Sequence, residues 1–171
     1  MPLVVETGSG SATANSYASV AQANDYVSLR KLGDWSALAP LAREAALVAA
    51  TDYLEEVYAS LWLGQRLTQA QALSWPRQNV IVEGFTLPAT VVPNEVSKAC
   101  ILLAIKVGAG ETLLEDQGQR VIKEKIDVIE TEYAEFSDPR TRYLQVDQTL
   151  AKYLAFAVAP GSFSQARLNR V

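Results

Sequence analysis

The sequence predicts a mainly α protein: a small helical bundle with a β-hairpin or extended β arm before the last helix. Three observations predict it. Leu41 to Leu61 carries apolar residues at helical spacing, with no internal glycine or proline. Asn94 to Val107 is apolar on almost every side, as a helix buried in a core would be. Arg120 to Tyr133 then switches to alternation in twos, the period of a strand.

Taken in order, Leu3-Val4-Val5 reads as a short strand. It leads into Gly8 to Ser16, a small-residue run that is flexible or ordered only against a neighbour. Ser19 and Gln22 have the spacing of a capping box and open a helix over 20–32, with Gly33 placed to close it. Trp35 and Leu38 pack in the connection, and Pro40 suits the first turn of the second helix, over 41–60. The apolar stripe of that helix includes Leu41, Ala45, Val48, Leu54, Val57 and Leu61, with Asp52, Glu55 and Glu56 largely opposite. Gly64 ends it. A short helix from Thr68 to Leu73 follows, stopped by Pro76, which disfavours helical geometry at Trp75.

Residues 79–92 read as extended and loop-like, punctuated by Gly84 and Pro88. Pro93 starts a third long helix, over 94–108, with Val96, Ala99, Cys100, Leu103, Ala104 and Val107 at helical spacing. In the strand-like stretch neither parity is cleanly apolar, so it is expected as an edge or a projecting arm, with a turn near Lys125 to Asp127. Ser137-Asp138-Pro139 breaks it, and a last helix over 146–158 presents Leu150, Tyr153, Leu154 and Ala157. The expected organisation is an N-terminal extension over 1–18, a helical core over 19–110, an acidic β arm over 111–139, and a C-terminal helix with a basic tail over 140–171.

Composition restricts the chemistry. The 171 residues hold no histidine and one cysteine, Cys100, so the commonest general base and metal ligand are missing. Cys100 lies in an apolar run and reads as a buried, inert thiol. The net charge of −4 argues against whole-molecule affinity for nucleic acid or an anionic membrane. That charge is uneven: residues 111–138 carry 9 acidic and 3 basic side chains, and residues 139–171 carry 1 and 5. The pattern suits a subunit meeting oppositely charged neighbours, or a solvated loop followed by a solvated tail. No signal peptide or membrane span is read, so a soluble protein made in a reducing cytoplasm is expected.

No catalytic constellation emerges, and neither a cofactor nor a metal is expected. Ser97 and Lys98 are neighbours on a helix and point to different faces. The Gly8–Gly10 run lacks the Gly-Lys-Ser/Thr ending of a phosphate loop. The acidic residues from Glu111 to Glu135 lack calcium-loop spacing and read as a solvated face. Tyr58, Trp62, Arg66, Trp75 and Arg77 interleave rings with guanidiniums, the mixture single-strand binders use for stacking and phosphate contact. The preferred reading is that Trp62 and Trp75 complete the core while Arg66 and Arg77 serve the surface or a subunit contact. In the tail, Phe163, Arg167, Leu168 and Arg170 form either a free segment or the anchors of a partner-docking peptide.

Several blocks together resemble a known family: Ser16-Tyr17-Ala18-Ser19 with Tyr26, Glu44 to Leu47, Ala50 to Leu54, Gln71-Ala72-Leu73-Ser74-Trp75-Pro76-Arg77, Pro93 with Val96 and Ala99, and Glu124-Lys125-Ile126 with Glu132-Tyr133. They look like the tailed-phage family labelled DnaT-like single-stranded DNA-binding protein. In size and helix order its members resemble the head–tail adaptor, or head completion, proteins of long-tailed phages. The adaptor likeness implies a virion neck protein, not an enzyme. It would form a homo-oligomeric ring of about twelve copies between the portal protein and the tail or tail-completion protein, with genomic DNA passing through the channel. The DnaT label implies instead a single-stranded-DNA-binding replication accessory. The acidic balance, the projecting arm and the tail composition favour the adaptor, with strand binding as the alternative.

Overall fold

The computed structural model describes residues 2–32, 35–114, 123–126, 129–132 and 143–155. Among these, four α-helices carry the core: α1 (Val20–Arg30), α2 (Pro40–Tyr58), α3 (Asn94–Gly108) and α4 (Leu144–Leu150). Three two-stranded antiparallel ribbons accompany them: β1 (Gln65–Arg66) with β2 (Arg77–Gln78), β3 (Ile81–Val82) with β4 (Phe85–Thr86), and β5 (Lys123–Ile126) with β6 (Ile129–Glu132). The mainly α expectation holds loosely, because the loops hold more β pairing than the pattern showed.

The helices start and stop for local reasons. Ser19 caps α1 through the reciprocal bonds with Gln22, and Lys31, in left-handed geometry at φ 52°, ends it. Pro40 opens α2 in its first turn, and the alanine-rich sequence that follows has high helix propensity. The buried face of α2 is Ala46, Leu47, Ala50, Thr51, Leu54, Val57 and both tyrosines. Leu41, expected on that face, is 75% exposed; the apolar stripe begins a turn later, where α3 lies alongside.

Helix α3 is the central element, packed against α2 on one side and α4 on the other. Small residues let α2 and α3 approach: Thr51 Oγ1 lies 3.4 Å from Cys100 Sγ, and Cys100 Sγ reaches the Leu47 carbonyl at 3.6 Å. Burial pushes the Cys100 thiol up, so it stays protonated and unreactive. Each large apolar side chain fully buried here contributes about 1.5–3 kcal/mol relative to exposure.

The Gly8–Ser16 run is ordered against this chain's own core. The buried Glu6 carboxylate accepts the amides of Gly8 (2.8 Å), Gly10 (3.1 Å) and Ser11 (2.7 Å), so the small residues wrap one anion. Tyr17 and Ala18 are buried, and Ser97 Oγ donates to the Tyr17 carbonyl at 2.8 Å, tying the segment to α3.

Two helices of the sequence reading are corrected. Thr68 to Leu73 is a loop. Thr68 and Gln71 exchange capping-type bonds, but Gln71 Nε2 then donates to the Leu73 and Pro76 carbonyls, and no helical ladder follows. The last helix ends at Leu150 and continues as a 3₁₀ turn, Ala151–Tyr153. From there the backbone pairs across the chain: Leu63 N–H donates to the Tyr153 carbonyl (2.9 Å) and Ala155 N–H to the Leu61 carbonyl (2.6 Å). Residues 156–158 of the expected helix lie outside the described residues.

Residues 79–92 contain a tight hairpin. Glu83 (φ 52°) and Gly84 (φ 85°) form its two-residue turn, with Val82 opposite Phe85. The arm expected over 120–133 is a hairpin as well. Its register places Lys123 opposite Glu132 and Lys125 opposite Glu130.

Candidate functional site

The Ser74–Arg77 block forms an interior corner built on α2. Glu55, on the helix face next to the loop, receives three donors of that block and its surroundings. Ser74 donates its amide (3.0 Å) and its hydroxyl (2.7 Å) to Glu55 Oε2, and the Tyr17 hydroxyl donates to Oε1. The Trp75 amide in turn donates to the Tyr17 oxygen at 3.0 Å. One carboxylate thus joins α2, the N-terminal segment and the corner. Burial raises the Tyr17 phenol well above its usual value, and the adjacent Glu55 charge raises it further.

Inside this frame the rings form a continuous series. Tyr143 contacts Tyr53, Tyr53 contacts Tyr58, Tyr58 contacts Trp62, Trp62 contacts Trp75, and Trp75 contacts Tyr153, with centroids 5.4–6.3 Å apart. The last two contacts are close to edge-to-face, the arrangement aromatic quadrupoles favour. Tyr58 donates to Asp147 Oδ1 at 2.5 Å, and Tyr153 donates to Glu95 Oε2 at 2.7 Å, so both ends of the α4 segment are clasped. Burial acts to raise the Glu95 carboxyl, but the Tyr153 hydroxyl and the Lys152 ammonium (3.0 Å) outweigh it and hold it below the usual range.

Tyr58, Trp62 and Trp75 are interior, so their faces are not open for stacking on bases. The core reading of both tryptophans therefore holds. Arg77, expected to be free for a neighbour, is only 8% exposed. Its guanidinium donates to the carbonyls of Leu63 (2.7 Å), Gly64 (2.8 Å), Ser74 (3.2 Å) and Trp62 (3.4 Å). The correction has a physical cause: loop carbonyls lacking strand or helix partners recruit a five-donor cation. Arg66 is exposed, yet its Nη2 donates to the carbonyls of Gln71 and Leu73. Phe163, Arg167, Leu168 and Arg170 lie outside the described residues.

Sequence reasoning missed Glu55, Tyr17 and Glu6 as organising groups. Glu55 shows in the pattern only as one more acid on the polar side of α2, and no spacing rule links it to Ser74.

A second feature is a groove of about 370 Å³ between α1, the 3₁₀ turn Trp35–Ala37 and the start of α2. Val27, Leu32 and Trp35 give it an apolar floor, and Lys31 and Arg43 supply its charge. Trp35 Nε1 donates to Asn24 Oδ1 at 2.8 Å, and Arg43 Nη2 to the Ser36 carbonyl at 2.7 Å. No carboxylate lines it among the described residues. Those residues also hold no cluster of ligands able to bind a metal ion, and no helix long and apolar enough to cross a membrane.

A family model described as "Putative DnaT-like ssDNA binding protein" matches residues 1–171, the whole chain. No curated protein and no solved structure matches it.

Two outcomes follow from the corner. Glu55→Ala leaves the Ser74 amide, its hydroxyl and the Tyr17 hydroxyl without their acceptor, and should lower stability by about 3 kcal/mol in urea denaturation. A loss under about 1 kcal/mol would show that water replaces the carboxylate at no cost. Burial, with Glu95 beside it, pushes the Tyr153 phenol up to about 12, and Tyr17 moves the same way. The folded phenols keep protons that an unfolded tyrosine releases near pH 10. Their stabilisation is thus complete below about pH 10 and drains away as pH climbs toward 12. Tyr153→Phe should flatten that alkaline decline, measured as unfolding free energy from pH 9 to 11.

Proposed function

The chain belongs to this DnaT-like family, and on that premise we propose that it binds single-stranded DNA. The observation that carries the reading is the match of the family model along the full length of the chain. It agrees with the alternative of the sequence reading rather than with the adaptor, since the description speaks of single-stranded DNA and contains nothing on a portal, a tail or a ring. The geometry limits how such binding would work. With the three tryptophans in the core, contact rests on phosphates rather than on bases stacked over indoles. No reaction and no cofactor belong to this proposal.

A second reading keeps the chain as a neck subunit of a tailed phage, made in the bacterial host cytoplasm and built into the virion. There a ring of about twelve copies would join the portal to the tail around the DNA channel. The burial of the aromatic and Arg77 candidates favours it, because those groups then serve the subunit's own rigidity. The net charge of −4 supports it too, since a channel passes DNA best when it does not hold it.

Fluorescence anisotropy with a labelled oligo-dT separates the two. Strand binding predicts an affinity higher for single strand than for duplex and falling steeply between 50 and 200 mM salt, as counterion release requires. Absence of binding at low salt would overturn it. Recovery of the chain from purified particles at the portal's copy number would establish the neck subunit.

A further inference from the structure

Resting on the single-strand reading above, we propose that the groove between α1 and the start of α2 is where the chain takes a phosphodiester of single-stranded DNA, with Lys31 and Arg43 as its cations. The fate of the other cations points there. Lys106 is paired with Glu111 at 3.2 Å and Lys152 with Glu95 at 3.0 Å. Arg77 and Arg66 are committed to loop carbonyls. Arg30, Lys31, Arg43 and Lys98 have no carboxylate partner among the described residues, and of these Lys31 and Arg43 line one groove. The Arg43 guanidinium touches only neutral acceptors, the Ser36 carbonyl at 2.7 Å and Asn24 Oδ1 at 3.4 Å, so its charge is positioned but not cancelled.

The remaining lining suits the rest of a nucleotide backbone. Asn24 gives its oxygen to Trp35, which leaves its amide nitrogen as a neutral donor, and Ser36 adds a hydroxyl. Val27 and Leu32 give the groove an apolar lining, the kind of surface a deoxyribose packs against. The groove's volume of about 370 Å³ lies in the range of small-ligand pockets. Trp35 is buried, which leaves little indole surface for stacking on a base, so the groove reads phosphate and sugar, and sequence preference should be weak. Helix α1 ends at this groove, and its negative pole opposes an anion. Binding therefore depends on both cations acting together, with Arg30, held 3.9 Å over the Tyr26 ring, close by in the last turn.

The test uses the full chain, oligo-dT anisotropy across a salt series, and two variants. Lys31→Gly removes one cation at a position whose left-handed φ of 52° glycine adopts freely, so the fold is preserved. Arg43→Gln removes the other, with circular dichroism melting as its check on folding. Each is expected to weaken binding at least threefold at low salt. Each should also make the slope of log K against log salt shallower by about 0.7, the share of one phosphate contact on a single strand. Lys152→Gln, outside the groove, should leave the slope unchanged. If the unaltered chain binds no oligonucleotide, the single-strand reading itself fails. If it binds and Lys31→Gly keeps the same affinity and slope, the location is overturned. If dTMP or inorganic phosphate competes as strongly as the oligonucleotide, the groove is a mononucleotide or phosphate site, and the assignment to a strand is overturned.

Discussion

The Glu55 carboxylate is the point on which the rest of the structure hangs. A negative charge on one turn of α2 gathers the Ser74 amide, the Ser74 hydroxyl and the Tyr17 hydroxyl into one place. Charged acceptors make the stronger hydrogen bonds, and a partly buried one cannot be left without donors. Once Ser74 is fixed, Trp75 enters the ring series between Trp62 and Tyr153, and Arg77 comes to lie among the carbonyls of the loop leaving α2. The N-terminal segment joins the same junction through Tyr17, whose carbonyl accepts from Ser97 on α3. The loop is thereby held by side chains in addition to the β1–β2 pairing and the backbone bonds of Leu67 to Pro76 and of Ala72 to Ser11.

This arrangement has a functional consequence. The residues most suggestive of a nucleic-acid contact are used up inside: two indoles as core, one guanidinium as a cap for carbonyls. What remains for an anionic partner is the charge that no carboxylate cancels, and Lys31 and Arg43 bring two such charges to one groove at the end of α1 and the first turns of α2. A binder of this design would hold a strand weakly and with strong salt dependence, in keeping with the chain's acidic balance.

The regular elements were legible in the sequence because their causes are local. Ser19 and Gln22 announce α1, Pro40 and the alanines announce α2, and the change from a period near 3.6 to a period of two marks the β5–β6 hairpin. The corner was not legible, because its causes are long-range. Glu55 meets a serine 19 positions away and a tyrosine 38 positions away. The same applies to the end of α4, where pairing with Leu61 to Leu63 stops a helix whose own pattern runs on to Val158. Over Thr68 to Leu73 the cause is different: side-chain bonds of the capping type between Thr68 and Gln71 close a turn with no helix after it.

The most direct test of this account is iodide quenching of tryptophan fluorescence, with and without saturating oligo-dT. All three indoles are interior, so the account predicts low quenching in the free protein; in a Trp35→Phe variant, which lacks the indole lining the groove, it predicts no change in tryptophan emission when a strand binds. Strong quenching in the free protein, or loss of indole emission on adding oligo-dT to the Trp35→Phe variant, would contradict it by placing Trp62 or Trp75 at an open stacking surface.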